Sequence, residues 1–373
     1  MAEIPFADLG AQYESIKEEI DSAIAAVIAE TAFIRGRFVS EFERAFAIAQ
    51  GVPHFVGTAN GTDALFVALK TLGIGPGDEV ITAANSWIAS SECITLSGAT
   101  PVFADVDRET YTIDPEDVAA RVTSNTRAII PVHLYGQAAD MDALLAIATK
   151  HDLVVVEDCA QAHMATSGGR SVGTFGEVGT FSFYPGKNLG AYGDAGGVAA
   201  ANEDLALRMR MFANHGAHPT VKHDHRIEGI NSRLDGIQAA ILSAKLPHLG
   251  QWTESRRSRA ALYDHLLHGV GDVVTPVVRE GNEHVYHLYC VRTESRDDLR
   301  EHLGAHGVQT GIHYPRALPF VSAYERFGAG PEDYPVAYSY QSQLLSLPMY
   351  AEMTDEAVHR VAGVVSEFFE QAR

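Results

Sequence analysis

The chain has 373 residues, and 46% of them are hydrophobic, so it can bury a large core as one domain or as two or three smaller ones. Its formal net charge is −20 and no block rich in lysine or arginine interrupts it, which argues against nucleic acid or an anionic membrane as a partner. Because no segment approaches the roughly 18 apolar residues of a membrane span and the N-terminus lacks a signal-peptide pattern, we expect a soluble, cytoplasmic protein.

Helices and short apolar strands alternate in the first part of the chain. The residues before 50 are predicted to be helices that cover or extend a large domain. From about 55 to 215, short apolar runs alternate with helix-period segments, as in βαβ units. The predicted strands are 79–83, 101–105, 128–133, 153–157, 179–183 and 197–200. With helices predicted after the capping pair Asp114-Pro115 and over 140–151, this pattern predicts a mostly parallel sheet covered on both faces.

A long helical stretch and a second set of elements complete the chain. Apolar residues at helical spacing predict a helix from 233 to about 267, interrupted at Pro247, that connects two domains. The later predicted elements are a strand at 285–291, a helix at 296–306, a strand at 309–314 and a helix at 355–371. The sequence therefore predicts an α/β fold, with a large domain over 1–245 and a smaller C-terminal α+β domain over 246–373.

Cysteines and clustered histidines do not predict a metal site. Three cysteines are widely spaced without a C-x-x-C pattern, so neither a disulfide framework nor a thiolate zinc site is indicated: Cys93, Cys159 and Cys290. Four histidines share a polar loop without a recognised ligand spacing: His215, His218, His223 and His225. We therefore expect no metal ion in the site.

An acidic residue and a lysine indicate the chemistry. Asp158 follows an apolar run, which places a carboxylate at the carboxyl end of a buried strand, where open α/β sheets bind ligands; Glu157 is a rival for the same role. Lys187 follows a Pro-Gly turn, where its amine could be partly desolvated and so become available. Pyridoxal phosphate (PLP) chemistry needs a lysine that forms a Schiff base and a carboxylate that keeps the pyridine nitrogen protonated. Alone, Lys187 would be an ordinary surface lysine, so its assignment depends on this setting.

Further side chains could bind such a cofactor. Gly61 and Thr62 begin a predicted helix whose free N–H groups attract phosphate, although the same residues also form ordinary N-caps. Ser182 adds a hydroxyl donor. Trp87 offers a flat face to a pyridine ring or else fills the core. Gln161, just after the strand, is placed to reach a ring hydroxyl.

Together these motifs resemble the DegT/DnrJ/EryC1/StrS family of PLP-dependent sugar aminotransferases, members of fold type I, over about residues 6–347. The resemblance implies that Lys187 forms the Schiff base and that Asp158 binds the pyridine nitrogen. The other implied cofactor contacts are Gly61, Thr62, Trp87, Gln161 and Ser182.

The resemblance also implies a shared site. Asn231 lies in a G-x-N-x-R motif whose asparagine, in the family, reaches the cofactor phosphate of the neighbouring subunit, so a homodimer is implied. Residues 311–315 match a family segment that lies near the sugar nucleotide, so His313 and Tyr314, with Tyr184 beside the lysine, are candidates for binding the substrate. One departure is Met164, where similar enzymes usually have glycine.

The residues around the lysine suggest where the substrate is aminated. Residues 184–197 look most like enzymes that aminate C-3 of a nucleotide-linked 3-keto-6-deoxyhexose, whereas relatives that aminate C-4 more often carry threonines and G-E-G-G after the lysine. The implied reaction uses L-glutamate as donor and a nucleotide sugar, with dTDP as the first candidate, as acceptor. Three alternatives stay open: amination at C-4, a PLP-dependent dehydratase or desulfurase, and a non-catalytic regulatory member of the family. The dehydratase is disfavoured because related sugar dehydratases have histidine in place of Lys187.

Overall fold

The structure is a computed structural model that describes residues 3–221 and 223–371. Its strands are β1 (His54–Thr58), β2 (Glu79–Ala83), β3 (Thr100–Ala104), β4 (Thr126–Ile130), β5 (Val154–Asp158), β6 (Thr166–Ser167), β7 (Arg170–Ser171), β8 (Val178–Ser182), β9 (Gly196–Ala200), β10 (Asn282–Glu283), β11 (Tyr289–Arg292) and β12 (Leu344–Leu347). Its α-helices are α1 (Leu9–Ser15), α2 (Lys17–Glu30), α3 (Arg37–Gln50), α4 (Gly61–Thr71), α5 (Ala89–Ser97), α6 (Pro115–Arg121), α7 (Met141–His151), α8 (Glu203–Phe212), α9 (Gly236–Lys245), α10 (Leu249–Leu267), α11 (Arg296–Ala305), α12 (Pro335–Tyr340) and α13 (Asp355–Gln371).

Seven strands form the central sheet, in the order β1-β9-β8-β5-β4-β2-β3. Neighbours are parallel except for β9, which is antiparallel to both β1 and β8. Side chains alternate between the two faces, so Val80 packs with α4, α5 and α8 while Ile81 packs with α6 and α7 on the opposite face. This architecture confirms the predicted mostly parallel α/β sheet covered by helices on both sides.

Most predicted strands of this sheet are observed close to their predicted positions. The prediction for 79–83 matches β2, and four others differ by one residue, whereas β4 begins two residues before its predicted start. The prediction missed β1, because Gly57 interrupts its short apolar run. The fold requires that glycine, since a Cβ at this position would lie 2.7 Å from the Cβ of Leu234.

The predicted long helix is two helices. A short 3-10 turn, Leu246–His248, separates α9 from α10, and Pro247 lies in its centre. Proline lacks the N–H that would continue the α-helical ladder, which explains the interruption predicted there.

The C-terminal elements differ more from prediction. The strand predicted at 285–291 is observed only as β11, which pairs antiparallel with β12, a strand the prediction missed. The strand predicted at 309–314 is wrong. Its backbone hydrogen bonds are divided between Ile4 on one side and Ser346 on the other, so no continuous ladder forms.

The division into domains at residues 245 and 246 stays a prediction, and its residues 1, 2, 222, 372 and 373 lie outside the described residues. Several features cross it: Ile4 forms a parallel bridge with Val308, β10 pairs with β6, and the Leu318 N–H donates to the Ala84 carbonyl. Within the described part of the chain, no helix combines the length and the apolar character needed to cross a bilayer.

Candidate active site

The carboxyl ends of β5 and β8 lie side by side at one edge of the sheet and carry Asp158 and Ser182. Asp158 is 4% exposed, and its backbone is fixed by hydrogen bonds to Pro131 and His133. Its carboxylate accepts a hydrogen bond from Ser90 Oγ (2.8 Å) and one from the Ala160 N–H (3.1 Å). These donors hold a buried carboxylate in one orientation at the edge where such sheets bind ligands.

Glu157, the rival carboxylate, points to the other face of the sheet, where both of its oxygens accept hydrogen bonds. It accepts backbone N–H bonds of 2.7 to 2.8 Å from the loop residues Gly173, Phe175 and Gly176. His133 Nε2 lies 3.0 Å from the same carboxylate, and because His133 Nδ1 accepts the Ala139 N–H, Nε2 carries the proton and donates it. Glu157 therefore anchors a loop, and Asp158 is the carboxylate that faces the ligand edge.

Lys187 lies in a tight loop closed by backbone hydrogen bonds. The Lys187 N–H donates to the Tyr184 carbonyl and the Ala191 N–H to the Phe183 carbonyl, both at 2.8 Å. Gly190 is required, because a Cβ there would lie 2.3 Å from the Pro185 carbonyl oxygen. The Lys187 side chain is half-buried in this loop.

The surroundings of Lys187 alter its basicity. Burial lowers the pKa of the Lys187 amine to about 8, and the attraction of the Asp158 carboxylate opposes this shift. A lysine with this pKa has a useful fraction of free amine near neutral pH, which a nucleophile requires. The two residues predicted to act together thus share one electrostatic environment.

Helix α4 begins beside the end of β8 and forms a small cradle. Asn60 caps the helix by accepting the Asp63 N–H at 2.8 Å. A Cβ on Gly61 would lie 2.7 Å from the Cβ of Ser182, so only glycine lets the two segments approach. The free N–H groups of the first turn, at Gly61 and Thr62, and the Ser182 hydroxyl form a site that fits a phosphate group.

Aromatic residues form a second part of the candidate site, beside the strand ends and the Lys187 loop. Trp87 is 58% exposed, so it does not fill the core, and its ring lies 5.7 Å from that of Tyr314. Gln161 Nε2 donates to the Tyr314 hydroxyl at 3.0 Å, while Gln161 Oε1 accepts the Tyr135 N–H at 2.6 Å. These contacts bring residues 87, 161 and 314 together, although they come from three distant motifs.

His313 completes this side. Its ring stacks on Phe6 at 5.6 Å, and its Nδ1 lies 2.9 Å from Ser346 Oγ. The Tyr135 hydroxyl donates to the His313 carbonyl. Burial, aided by the charge of Lys187, lowers the pKa of His313 to about 4, so the ring is neutral at physiological pH.

Two of the predicted site residues, Tyr184 and Asn231, make no side-chain hydrogen bond or ring contact with Lys187 or Asp158 among the described residues. The Tyr184 side chain is 59% exposed, and Asn231 is exposed beside its bridge partner Asn214. In residues 3–221 and 223–371, no hydrogen bond or ring contact links either side chain to Lys187 or Asp158.

The structure adds site residues that the sequence did not suggest. Ser90 reaches Asp158 from α5, and its sequence carries no signal for that contact. His163 is fully buried beside Phe181 and Phe183, and neither ring nitrogen has a hydrogen-bond partner among the described residues. Burial, followed by the nearby charge of Lys187, lowers the pKa of His163 to about 3. The sequence could have suggested His163 as a site residue, because it lies two residues after Gln161.

Met164 has a backbone φ of +62°, in the left-handed region that favours glycine. Its N–H donates to Gln50 Oε1 at 2.9 Å, which fixes this conformation. The structure thus explains why glycine suits the position, and this chain holds a methionine in the same conformation.

Solved structures give the class of the protein. The crystal structure of S. venezuelae DesV matches with a TM-score of 0.97 at 43% sequence identity and covers 99% of each chain. NtdA from Bacillus subtilis with bound cofactor PMP matches with a TM-score of 0.91 at 31% identity, covering 100% of this chain and 86% of that one. The fold and the lysine–carboxylate pair define an aminotransferase of fold type I.

The sequence gives the family. The chain belongs to the DegT/DnrJ/EryC1/StrS aminotransferase family, whose model matches residues 14–366. One curated relative, a pleiotropic regulatory protein of Geobacillus stearothermophilus, is 45% identical over 98% of each chain. Another, dTDP-3-amino-3,4,6-trideoxy-alpha-D-glucose transaminase of Streptomyces venezuelae, is 43% identical over 99% of this chain and 97% of that protein. The predicted family and enzyme class are confirmed.

Proposed function

We propose that the protein transfers the amino group of L-glutamate to C-3 of a nucleotide-linked 3-keto-6-deoxyhexose, giving a 3-amino-3,6-dideoxyhexose nucleotide. PLP is the cofactor, and dTDP is the first nucleotide to test. The observation that carries the proposal is the pairing of Lys187, a half-buried amine whose pKa is lowered to about 8, with the Asp158 carboxylate at the ligand edge of the sheet.

The residues at this edge divide the chemical work. When bound, PLP supplies an aldehyde that takes up amines and a pyridine ring that accepts electrons. Lys187 Nζ would hold the aldehyde of PLP, and because the amine is tethered beside the reacting carbon it could also carry protons to and from that carbon. Asp158, whose carboxylate is fixed by Ser90 and the Ala160 N–H, would accept a hydrogen bond from the protonated ring nitrogen and stabilise its positive charge.

The remaining cofactor contacts orient the ring and hold its phosphate. The first turn of α4 at Gly61 and Thr62, together with Ser182, binds the phosphate through N–H and hydroxyl donors. This local site matters because the chain as a whole carries a net charge of −20 and would repel anions. Trp87 would stack on the ring face, and Gln161 would reach the ring hydroxyl.

A homodimer completes the site in this proposal. Asn231 is exposed in the single chain and pairs with Asn214, which leaves its side chain available to reach the cofactor phosphate of a second subunit. Each site would then contain residues of both chains.

Tyr184, His313 and Tyr314 bind the sugar nucleotide in this proposal. His313 is neutral and anchored through Ser346, so it offers a hydrogen bond without adding charge near Lys187. The likeness of residues 184–197 to enzymes that act at C-3, together with the transaminase of S. venezuelae, supports amination at C-3.

The experiment is a panel of dTDP-, UDP- and GDP-linked 3-keto and 4-keto sugars, each incubated with the holoenzyme and L-glutamate. NMR then locates the new amine. An amine at C-3 of the dTDP sugar supports the proposal, and an amine at C-4 overturns the proposed site of amination on the sugar. Tight sugar binding without turnover across the panel favours the regulatory alternative, which the relative from G. stearothermophilus makes worth testing.

A further inference from the structure

We propose that Lys245 is a positioning residue whose ammonium group holds the Lys187 loop against the N-terminal helix α1. The proposal rests on the function proposed for Lys187, and it assigns Lys245 no contact with cofactor or substrate. Its basis is a set of contacts between Lys245, α1 and the loop after Lys187.

The ammonium of Lys245 has three kinds of partner and all are close. Nζ donates to Gln12 Oε1 on α1 at 2.9 Å and to the Gly190 carbonyl at 2.8 Å. The same nitrogen lies 4.2 Å from the centre of the Tyr192 ring, within the range of a cation–π contact. Lys245 ends α9, so one side chain connects α1, α9 and the loop after Lys187.

A buried lysine of this kind is costly to the fold. Lys245 is fully buried, and among residues 3–221 and 223–371 it forms no ion pair. The carboxyl group of Glu352 attracts it from beyond salt-bridge distance, and burial lowers the pKa of Lys245 to about 8. An apolar side chain of similar length would avoid the cost of desolvating a charge, but it could not bind the Gly190 carbonyl. That contact is what the ammonium adds.

The Gly190 contact bears directly on Lys187. Asn188 Nδ2 donates to the Val285 carbonyl at 3.0 Å, which anchors the loop to the segment that precedes β11. Three residues after Lys187, the Gly190 carbonyl is anchored to Lys245. Lys187 is thus followed by two anchored residues, Asn188 and Gly190. Removal of one anchor lets the loop open, admits water and raises the pKa of Lys187 toward its ordinary value.

The test compares Lys245→Met with wild type and with Lys150→Met, which removes an exposed lysine at the end of α7. In the holoenzyme, hydrogen exchange of the Lys187 and Ala191 amides should rise about tenfold in Lys245→Met, the effect of losing a hydrogen bond to a charged group. The amides of β5 should not change. Turnover should fall with little change in KM, and the acid limb of the pH profile should move to higher pH, because Lys187 must lose a proton to act as a base.

Unchanged exchange in the loop together with an unchanged pH profile would overturn the proposal. If Lys245→Met does not fold, Gln12→Leu tests the same anchor by removing one acceptor, and we expect a smaller rise in the same two amides; no rise there also overturns it. Failure of the proposed function would look different. Borohydride would then fix no cofactor on Lys187 in the wild type, while the exchange comparison would still report on the Lys245 contact.

Discussion

The two sides of the site are built differently. On the sheet side, Asp158 and Ser182 end the adjacent strands β5 and β8, and the backbone hydrogen bonds between these strands fix their positions. On the C-terminal side, His313 and Tyr314 lie in irregular backbone and are held by side-chain contacts to Ser346 and Gln161. The difference suggests that the rigid side carries the chemistry common to aminotransferases, while the side held by side chains can adapt to the sugar.

The largest expected effect tests the sheet side. Asp158→Asn removes the charge that faces the ring nitrogen, and we expect turnover to fall by about 10² to 10³-fold, comparable to loss of a preorganised electrostatic partner. Steady-state kinetics measure this. Glu157→Gln is the matched control: it should lower the free energy of unfolding, because a buried anchor is weakened, yet keep most turnover in the folded fraction. Equal losses of turnover in both variants would break the distinction between the two faces.

Gly61→Ala tests the phosphate cradle. The added Cβ would lie 2.7 Å from the Cβ of Ser182, so α4 must shift away from β8. We expect cofactor affinity to fall by at least about tenfold, as for a site whose hydrogen bonds are misplaced, measured by titrating the apoprotein with PLP. Gly250→Ala, in a helix position with open space around the added Cβ, is the control and should bind normally. Normal binding by Gly61→Ala would contradict this role.

His163 makes the stability of the folded protein depend on pH. Its folded pKa of about 3 is below the ordinary value of 6.5, so below pH 6.5 the unfolded chain takes up a proton that the folded chain does not. The folded state therefore loses stability as the pH falls from 6.5. His163→Leu should reduce the loss between pH 7 and 5.5 by about 1 kcal/mol, measured by urea unfolding at both pH values. An unchanged difference would show that His163 is protonated or exposed in the folded protein.

Tyr314→Phe tests the C-terminal side and should have the smallest effect. It removes the hydroxyl that accepts from Gln161 but keeps the ring beside Trp87. We expect KM for the sugar nucleotide to rise about fivefold, the value of a single hydrogen bond, with cofactor affinity unchanged. Tyr338→Phe, an exposed tyrosine, is the control. A large loss of cofactor affinity in Tyr314→Phe would place this residue on the cofactor side instead.

The same contrast explains what the sequence could predict. Asp158 and Lys187 could be proposed from the sequence because strand ends and tight turns follow from local residue patterns, and the family resemblance then gave each a role. The residue pattern left Asp158 and Glu157 as rivals, and the family resemblance favoured Asp158. The structure adds the hydrogen bonds of Glu157, which show that it occupies the other face of the sheet. Ser90 and Lys245 act through contacts between residues distant in sequence, for which a single sequence carries no signal. The strand predicted at 309–314 failed for a similar reason, because its pairing partners come from both ends of the chain.

The measurement that tests the central claim most directly is borohydride reduction of the PLP-loaded protein followed by peptide mapping. The chain contains only six lysines, so the modified residue can be assigned without ambiguity. We expect loss of the visible absorption band and a pyridoxyl group on Lys187 alone, and we expect Asp158→Asn to alter the band before reduction. A pyridoxyl group on Lys245 or on any other lysine, or no band at all, would contradict it.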